Sequence, residues 1–169
     1  MAEGKTNQIR LRLFLFGALS LGIMFMIFVL SAKSGAASTT QSRSFMNTWL
    51  GSWLVRNAPM LFPGDAEMQL RKYAHMFEYC CLAGSCLLFF DELLRHGKRR
   101  LCPAAGLALG WSLIYAVSDE FHQTFVPGRT GRASDVVVDL AGAAIGAFTI
   151  LLVLATGRAA PKMIRRNRK

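Results

Sequence analysis

Charge is what this sequence has least of, acidic charge above all. Only 18% of its 169 residues are Asp, Glu, Lys or Arg, against ~25% in ordinary soluble domains. With 53% hydrophobic residues and a mean hydropathy of +0.33, that scarcity excludes a soluble globular domain and indicates a membrane protein. Cys80, Cys81, Cys86 and Cys102 lack paired metal-site spacing. They read as small core residues, with no disulfide framework. No H-E-x-x-H, nucleophile-elbow or P-loop motif occurs, nor any internal repeat or second domain. The excess of 20 Lys and Arg over 10 Asp and Glu is not gathered into a patch interleaved with aromatics, so nucleic acid is not an indicated partner. The basic residues flank apolar runs instead, where membrane topology places them.

Those runs organise the chain. Leu13–Leu30 carries no charge between Arg12 and Lys33. A signal-peptide core is only ~7–15 residues and a spanning helix needs ~20, so this run reads as an uncleaved first span. Runs at Ala74–Phe90, about Pro103–Val117 and about Ser134–Ala155 supply three more. Gly106 with Gly110 and Gly142 with Gly146 are small-xxx-small pairs that let helices approach closely. Between the first two spans, Phe45, Trp49 and Trp53 recur every fourth residue. That predicts one aromatic helical face, set either on the lipid–water boundary or on the protein's own top. Pro59 and Pro63-Gly64 then break the periodicity. The fold class is therefore all-α: a polytopic membrane protein of four transmembrane helices, with an interfacial segment between the first two and a polar loop between the last two. The boundaries read as a terminus over 1–12, a membrane domain over 13–155 and a basic tail over 156–169.

Four spans place both termini on one side. Segments on that side hold thirteen basic residues, and the much longer segments opposite hold seven. The positive-inside rule then puts the termini in the cytoplasm. It follows that Lys72, His75, Glu78 and Tyr79 of the second helix, the polar stretch from Ser118, and Asp135 and Asp139 of the fourth all gather near the outer face. At 100° per residue Lys72, His75 and Tyr79 fall within about 60° of one another, with Glu78 about 60° further round. The stretch Ser118–Asp139 adds Asp119, Glu120, Gln123, Arg129 and Arg132. Ionisable groups at membrane depth are costly unless paired or in use. The cluster reads as one outward-facing pocket, with a purely structural polar network as the alternative. Lys72 and Arg129 are the expected partners of Glu78 and Asp139.

Four blocks, K-Y-A-H-M-F-E-Y (Lys72–Tyr79), D-E-F-H-Q (Asp119–Gln123), P-G-R (Pro127–Arg129) and D-V-V-V-D-L-A-G (Asp135–Gly142), with S-A-K-S-G after the first span, resemble the signature of the VanZ-like integral membrane proteins. The resemblance covers roughly residues 13–155. It implies a bacterial four-helix protein of the cytoplasmic membrane, in a family whose founding member is linked to low-level resistance to the glycopeptide teicoplanin. By position it singles out Lys72, His75, Glu78, Tyr79, Asp119, Glu120, Gln123, Pro127, Gly128, Arg129, Asp135 and Asp139, and it supplies no settled reaction.

The residues leave several functional classes open. Arg129 offers a planar fork for phosphate or carboxylate, and Arg132 and Lys72 add positive charge. These suit the headgroup of an anionic envelope lipid or a lipid-linked cell-wall precursor. A membrane enzyme acting on such a lipid is the second reading. His75 and Glu78, with Asp119 and Glu120, are its candidate ligands for a divalent metal, and the acids its candidate acid/base pair. A scaffold comes third and a transporter fourth. Membrane lipids are the expected surroundings, and oligomerisation is left open.

Overall fold

The computed structural model describes residues 2–58, 61, 62, 64–95 and 101–166, with only the backbone described for 2, 3, 5 and 159–166. Pro59, Pro63, Lys98, Arg99 and Arg100, and the tail side chains beyond Arg158, lie outside the described residues or side chains. Six helices form among the described residues: α1 (Ala2–Ser31), α2 (Gly35–Met46), α3 (Trp49–Asn57), α4 (Ala66–Leu93), α5 (Leu101–Gln123) and α6 (Ala133–Arg166). Four contain segments long and apolar enough to cross a membrane: Thr6–Ser31, Ala66–Leu93, Leu101–Gln123 and Ala133–Arg158. This is a multi-pass membrane protein. The ends of α1 and α5 and the starts of α4 and α6 meet at one end of the bundle.

Local chemistry sets the boundaries. Asp65 caps α4, its carboxylate accepting from the Met68 N–H at 2.9 Å, so the second span opens well before the apolar run begins. Ser34 caps α2 and Thr48 caps α3, through the Ala37 and Gly51 N–H groups. The cap at Thr48 corrects one expectation. Phe45 lies on α2 while Trp49 and Trp53 lie on α3, so the three aromatics do not share one continuous helix. The two tryptophans are largely exposed. Pro103 falls in the first turn of α5, where its missing N–H costs nothing.

Helix α4 is the hub, packed against each of the other three spans. Small residues make this packing. On α5, Ala104, Ala108, Ser112 and Ala116 recur every fourth residue and are all buried. On α6, a Cβ at Gly142 would collide with the Met76 backbone, and one at Gly146 with that of Cys80. Lipid offers no hydrophobic drive for helix association, so such backbone approach and its dispersion contacts matter most. Gly106 and Gly110 form no comparable contact, with nothing within 4 Å of a Cβ at either. The alanine stripe occupies the packed face instead. Of the cysteines, only Cys86 is buried; Cys80 and Cys81 are half-buried and Cys102 is exposed, all with free thiols. The core reading holds for Cys86 alone. Large apolar side chains such as Phe14, Phe25, Phe121 and Phe148 point outward, as a lipid-facing surface requires. At the far end, the buried Asp91 carboxylate pairs with Arg158.

Helix α5 also corrects the extent of the polar loop. It runs to Gln123, so Asp119, Glu120 and Gln123 occupy its last turn and the loop is residues 124–132 alone. Within that turn Gln123 Nε2 donates to Asp119 Oδ2 at 3.0 Å and to Glu120 Oε1 at 3.3 Å. Bonds spaced three and four residues apart reinforce the helix that ionisable composition alone argued against.

Candidate functional site

The loop folds back over the bundle end. Gly128, at φ +73°, takes a backbone conformation open to glycine but strained for other residues. The Pro127 carbonyl accepts from Gly35 N–H at 3.0 Å, which ties the loop to the start of α2. This geometry aims Arg129 inward. Its guanidinium donates to the carbonyls of Lys33 (3.2 Å) and Leu30 (3.4 Å), to Ser38 Oγ (3.0 Å) and to Gln123 Oε1 (3.4 Å). All four acceptors are neutral oxygens. Leu30 belongs to the last turn of α1 and Lys33 follows just beyond it, at a helix C-terminus whose carbonyls carry partial negative charge. Burial pushes the Arg129 pKa below its ordinary value, Arg71 adds to the fall, and Asp119, Glu120 and Glu78 oppose it.

Asp119 sits at the centre, nearly fully buried. Its Oδ2 accepts from Ser31 Oγ at 2.9 Å as well as from Gln123. Glu120 Oε2 accepts the backbone N–H of Arg132 at 2.8 Å, and this turns the chain into α6. Lys72 Nζ lies 2.7 Å from Asp135 Oδ1 and 5.3 Å from the centre of the Phe62 ring. His75 Nδ1 is 3.6 Å from Glu78 Oε2 and 3.9 Å from Asp139 Oδ1. These are approaches, longer than hydrogen bonds. Tyr79, 0% exposed, packs its ring 6.3 Å from that of Tyr115. The buried atoms without a hydrogen-bond partner in the described structure include His75 Nδ1, Glu78 Oε2, Tyr79 Oη and Asp139 Oδ2, with Arg71 Nε and His122 Nε2 besides. Such concentrated dissatisfaction is unusual in a core that only needs to fold.

Two cavities of about 250 Å³ each flank this core. Arg71, His75 and Arg129 line both, so the two adjoin. The one toward α6 also holds Lys72, Glu120, Arg132, Asp135 and Asp139. Among the described residues no three His, Cys, Asp or Glu side chains are placed to hold a metal ion. His75, Glu78, Asp119 and Glu120 therefore do not converge as a ligand set.

The four spans and the cluster find a counterpart among known families, since a VanZ/LLP1 family model matches residues 16–154. The chain belongs to the VanZ/LLP1 family. Comparison with curated proteins and with solved structures returned no match.

Every cluster residue that the sequence singled out in this VanZ/LLP1 protein lies at the one bundle end, but two pairings differ from expectation. Lys72 reaches Asp135, and Arg129 reaches neutral oxygens, so neither meets Glu78 or Asp139; His75 stands next to both acids. Residues not singled out also contribute. Ser31 bonds Asp119, Ser38 bonds Arg129, and Arg71, held by Glu67 and Thr39, lines both cavities. Ser31 was legible only as part of the S-A-K-S-G block. His122, inside its block, instead packs its ring 4.8 Å from Phe28.

The Ser31–Asp119 bond gives a direct expectation. Ser31→Ala leaves a buried carboxylate short of one donor and should cost ~1–3 kcal/mol. Thr149→Ala, whose exposed hydroxyl bonds only its own helix, should cost under ~0.5 kcal/mol. Thermal unfolding in detergent compares them, and equal small losses would mean that Asp119 does not depend on α1.

Proposed function

We propose that this VanZ/LLP1 protein binds the anionic headgroup of an envelope lipid, such as the phosphate or pyrophosphate of a lipid-linked cell-wall precursor. The site faces outward from a bacterial cytoplasmic membrane, with both termini cytoplasmic. The observation that carries this reading is the cationic lining of the adjoining cavities: Arg71, Lys72, Arg129 and Arg132 within one small volume. Guanidinium forks match phosphate oxygens bidentately. Asp135 holds Lys72 in place, and the acids can receive sugar hydroxyls or amines. A headgroup held or remodelled here is where a link to teicoplanin tolerance would arise.

Arg132 gives the cleanest test, because its side chain is exposed and its bonds among the described residues are made by the backbone, the N–H to Glu120 and the carbonyl from the Asp135 N–H. Arg132→Gln should leave the melting temperature within about 1–2 °C, as surface changes do. It should weaken binding of dioleoyl phosphatidate by about tenfold, the loss of one charge-assisted contact. Native mass spectrometry of the detergent-purified chain reads both lipids side by side. Equal affinity for phosphatidate and the zwitterionic phosphatidylcholine, unmoved by Arg132→Gln, would end the proposal.

The unpartnered atoms of His75, Glu78, Tyr79 and Asp139 favour a second reading, in which the bound headgroup undergoes acid/base chemistry. Release of inorganic phosphate from the same phosphatidate separates the two. Turnover abolished by His75→Asn with binding retained supports the enzyme, and no turnover leaves binding.

A further inference from the structure

A third cavity lies beside the charged ones and differs from them in kind. It measures about 610 Å³ and sits between α3 and α4, with Phe45, Leu50, Leu54, Ala74 and Phe77 among its walls. That volume is in the ~300–1,000 Å³ range of small-molecule sites. Gln69 reaches its wall, but its amide both donates to and accepts from the Phe62 backbone, so its polarity is spent. The cavity adjoins the cationic one across Phe45, Leu70 and Ala74, which line both. An apolar cleft thus lies against a basic pocket around Arg71 and Arg129.

We propose that this cleft takes the hydrocarbon chain of the same lipid whose headgroup occupies the cationic cavities. The inference rests on the headgroup reading and extends it to the whole amphiphile. Three observations fix the occupant. The cleft shares Phe45, Leu70 and Ala74 with the charged site, so one molecule with an anionic end and an apolar end can reach both. Its walls offer a chain almost nothing polar. Trp49 and Trp53, exposed on α3 at 80% and 49%, suit a lipid–water boundary, where tryptophan concentrates. A headgroup held there passes its chain inward beneath α3, and the α2–α3 hairpin becomes the wall that separates this lipid from the surrounding bilayer.

Chain length is the probe. Full-length protein in detergent is titrated with dihexanoyl phosphatidate, dipalmitoyl phosphatidate and the uncharged dipalmitoylglycerol. Burial from water is worth roughly fourfold in affinity per methylene, and a detergent micelle competes for most of it. The long phosphatidate should still bind at least about tenfold tighter than the short one. In Leu54→Trp and Val55→Trp, which narrow the cleft from α3 without touching the charged lining, this gap should shrink to under about threefold, with dihexanoyl phosphatidate unaffected. A second measurement needs no variant: a phosphatidate carrying a photoreactive group on its chain should crosslink to α3 and the first half of α4. An unchanged gap in both variants, or crosslinks spread over the outward faces of α1 and α6, overturns the cleft assignment even if short phosphatidate binds. Dipalmitoylglycerol binding as tightly as dipalmitoyl phosphatidate, and losing affinity in the narrowed variants, keeps the cleft and overturns the headgroup reading.

Discussion

Arg129→Ala is expected to be more damaging than any substitution on the cavity rim, lowering the detergent melting temperature by roughly 6–12 °C on the scaling of chains of this length. Its guanidinium ties the end of α1, the start of α2, the last turn of α5 and the loop to one another through four acceptors. Hydrogen bonds from a charged donor are worth ~1.5–3 kcal/mol each. Long geometry and shared strain reduce their sum, so about 3 kcal/mol in total is the expected loss. Arg129→Lys should recover under half of it, because one ammonium cannot reach four oxygens spread over three elements. Both variants should also lose phosphatidate binding, since the strap holds α1 and α5 against the cavities. The diagnostic comparison is with Arg132→Gln, which loses binding alone. If Arg129→Ala melts like wild type, the strap is an exposed contact of little weight and the structural role assigned here fails.

Gly142→Leu should have the other large effect. A Cβ at that position meets the Met76 carbonyl and Cα of the neighbouring helix, and backbone cannot step aside as a side chain can. Overpacking costs ~1–3 kcal/mol where side chains alone must move, so a leucine here should exceed about 3 kcal/mol. The displacement would separate α6 from α4 just below the site and carry Asp135 and Asp139 away from Lys72 and His75. Headgroup binding should fall with stability. Gly106→Ala is the control. It meets nothing within 4 Å, and removing a glycine from a helix interior should stabilise by up to ~1 kcal/mol. Melting curves and phosphatidate binding for both variants test the α4–α6 contact. A Gly142→Leu protein that melts and binds like wild type would show that the helices do not meet there.

These two glycine pairs show what a spacing conveys. Both satisfy the small-xxx-small pattern, yet only Gly142 and Gly146 lie against another backbone. The pattern states that close approach is permitted; it does not say which face of the helix receives a neighbour. The same reasoning covers the aromatic stripe. Its four-residue period was plain, but Thr48 offered a competing local bond, and a cap that satisfies an orphan N–H splits the helix between Phe45 and Trp49. In the last turn of α5, ionisable composition suggested loop. Burial and the mutual bonds of Asp119, Glu120 and Gln123 made helix the better state.

By itself the sequence determined the four spans and the gathering of Lys72, His75, Glu78, Asp119, Glu120, Arg129, Asp135 and Asp139 toward one end of the bundle. Partition of an apolar run into lipid depends on the sum of its own side chains, and alternating direction then follows from the count of crossings. Only the tertiary structure decided which groups meet: Ser31 with Asp119, Lys72 with Asp135, Arg129 with the end of α1, and the apolar cleft under α3. Those contacts depend on how each helix is rotated about its axis. That rotation is set by the fit of Gly142 and Gly146 on α4 and of the alanine stripe on α5, a relation between segments that no single segment contains.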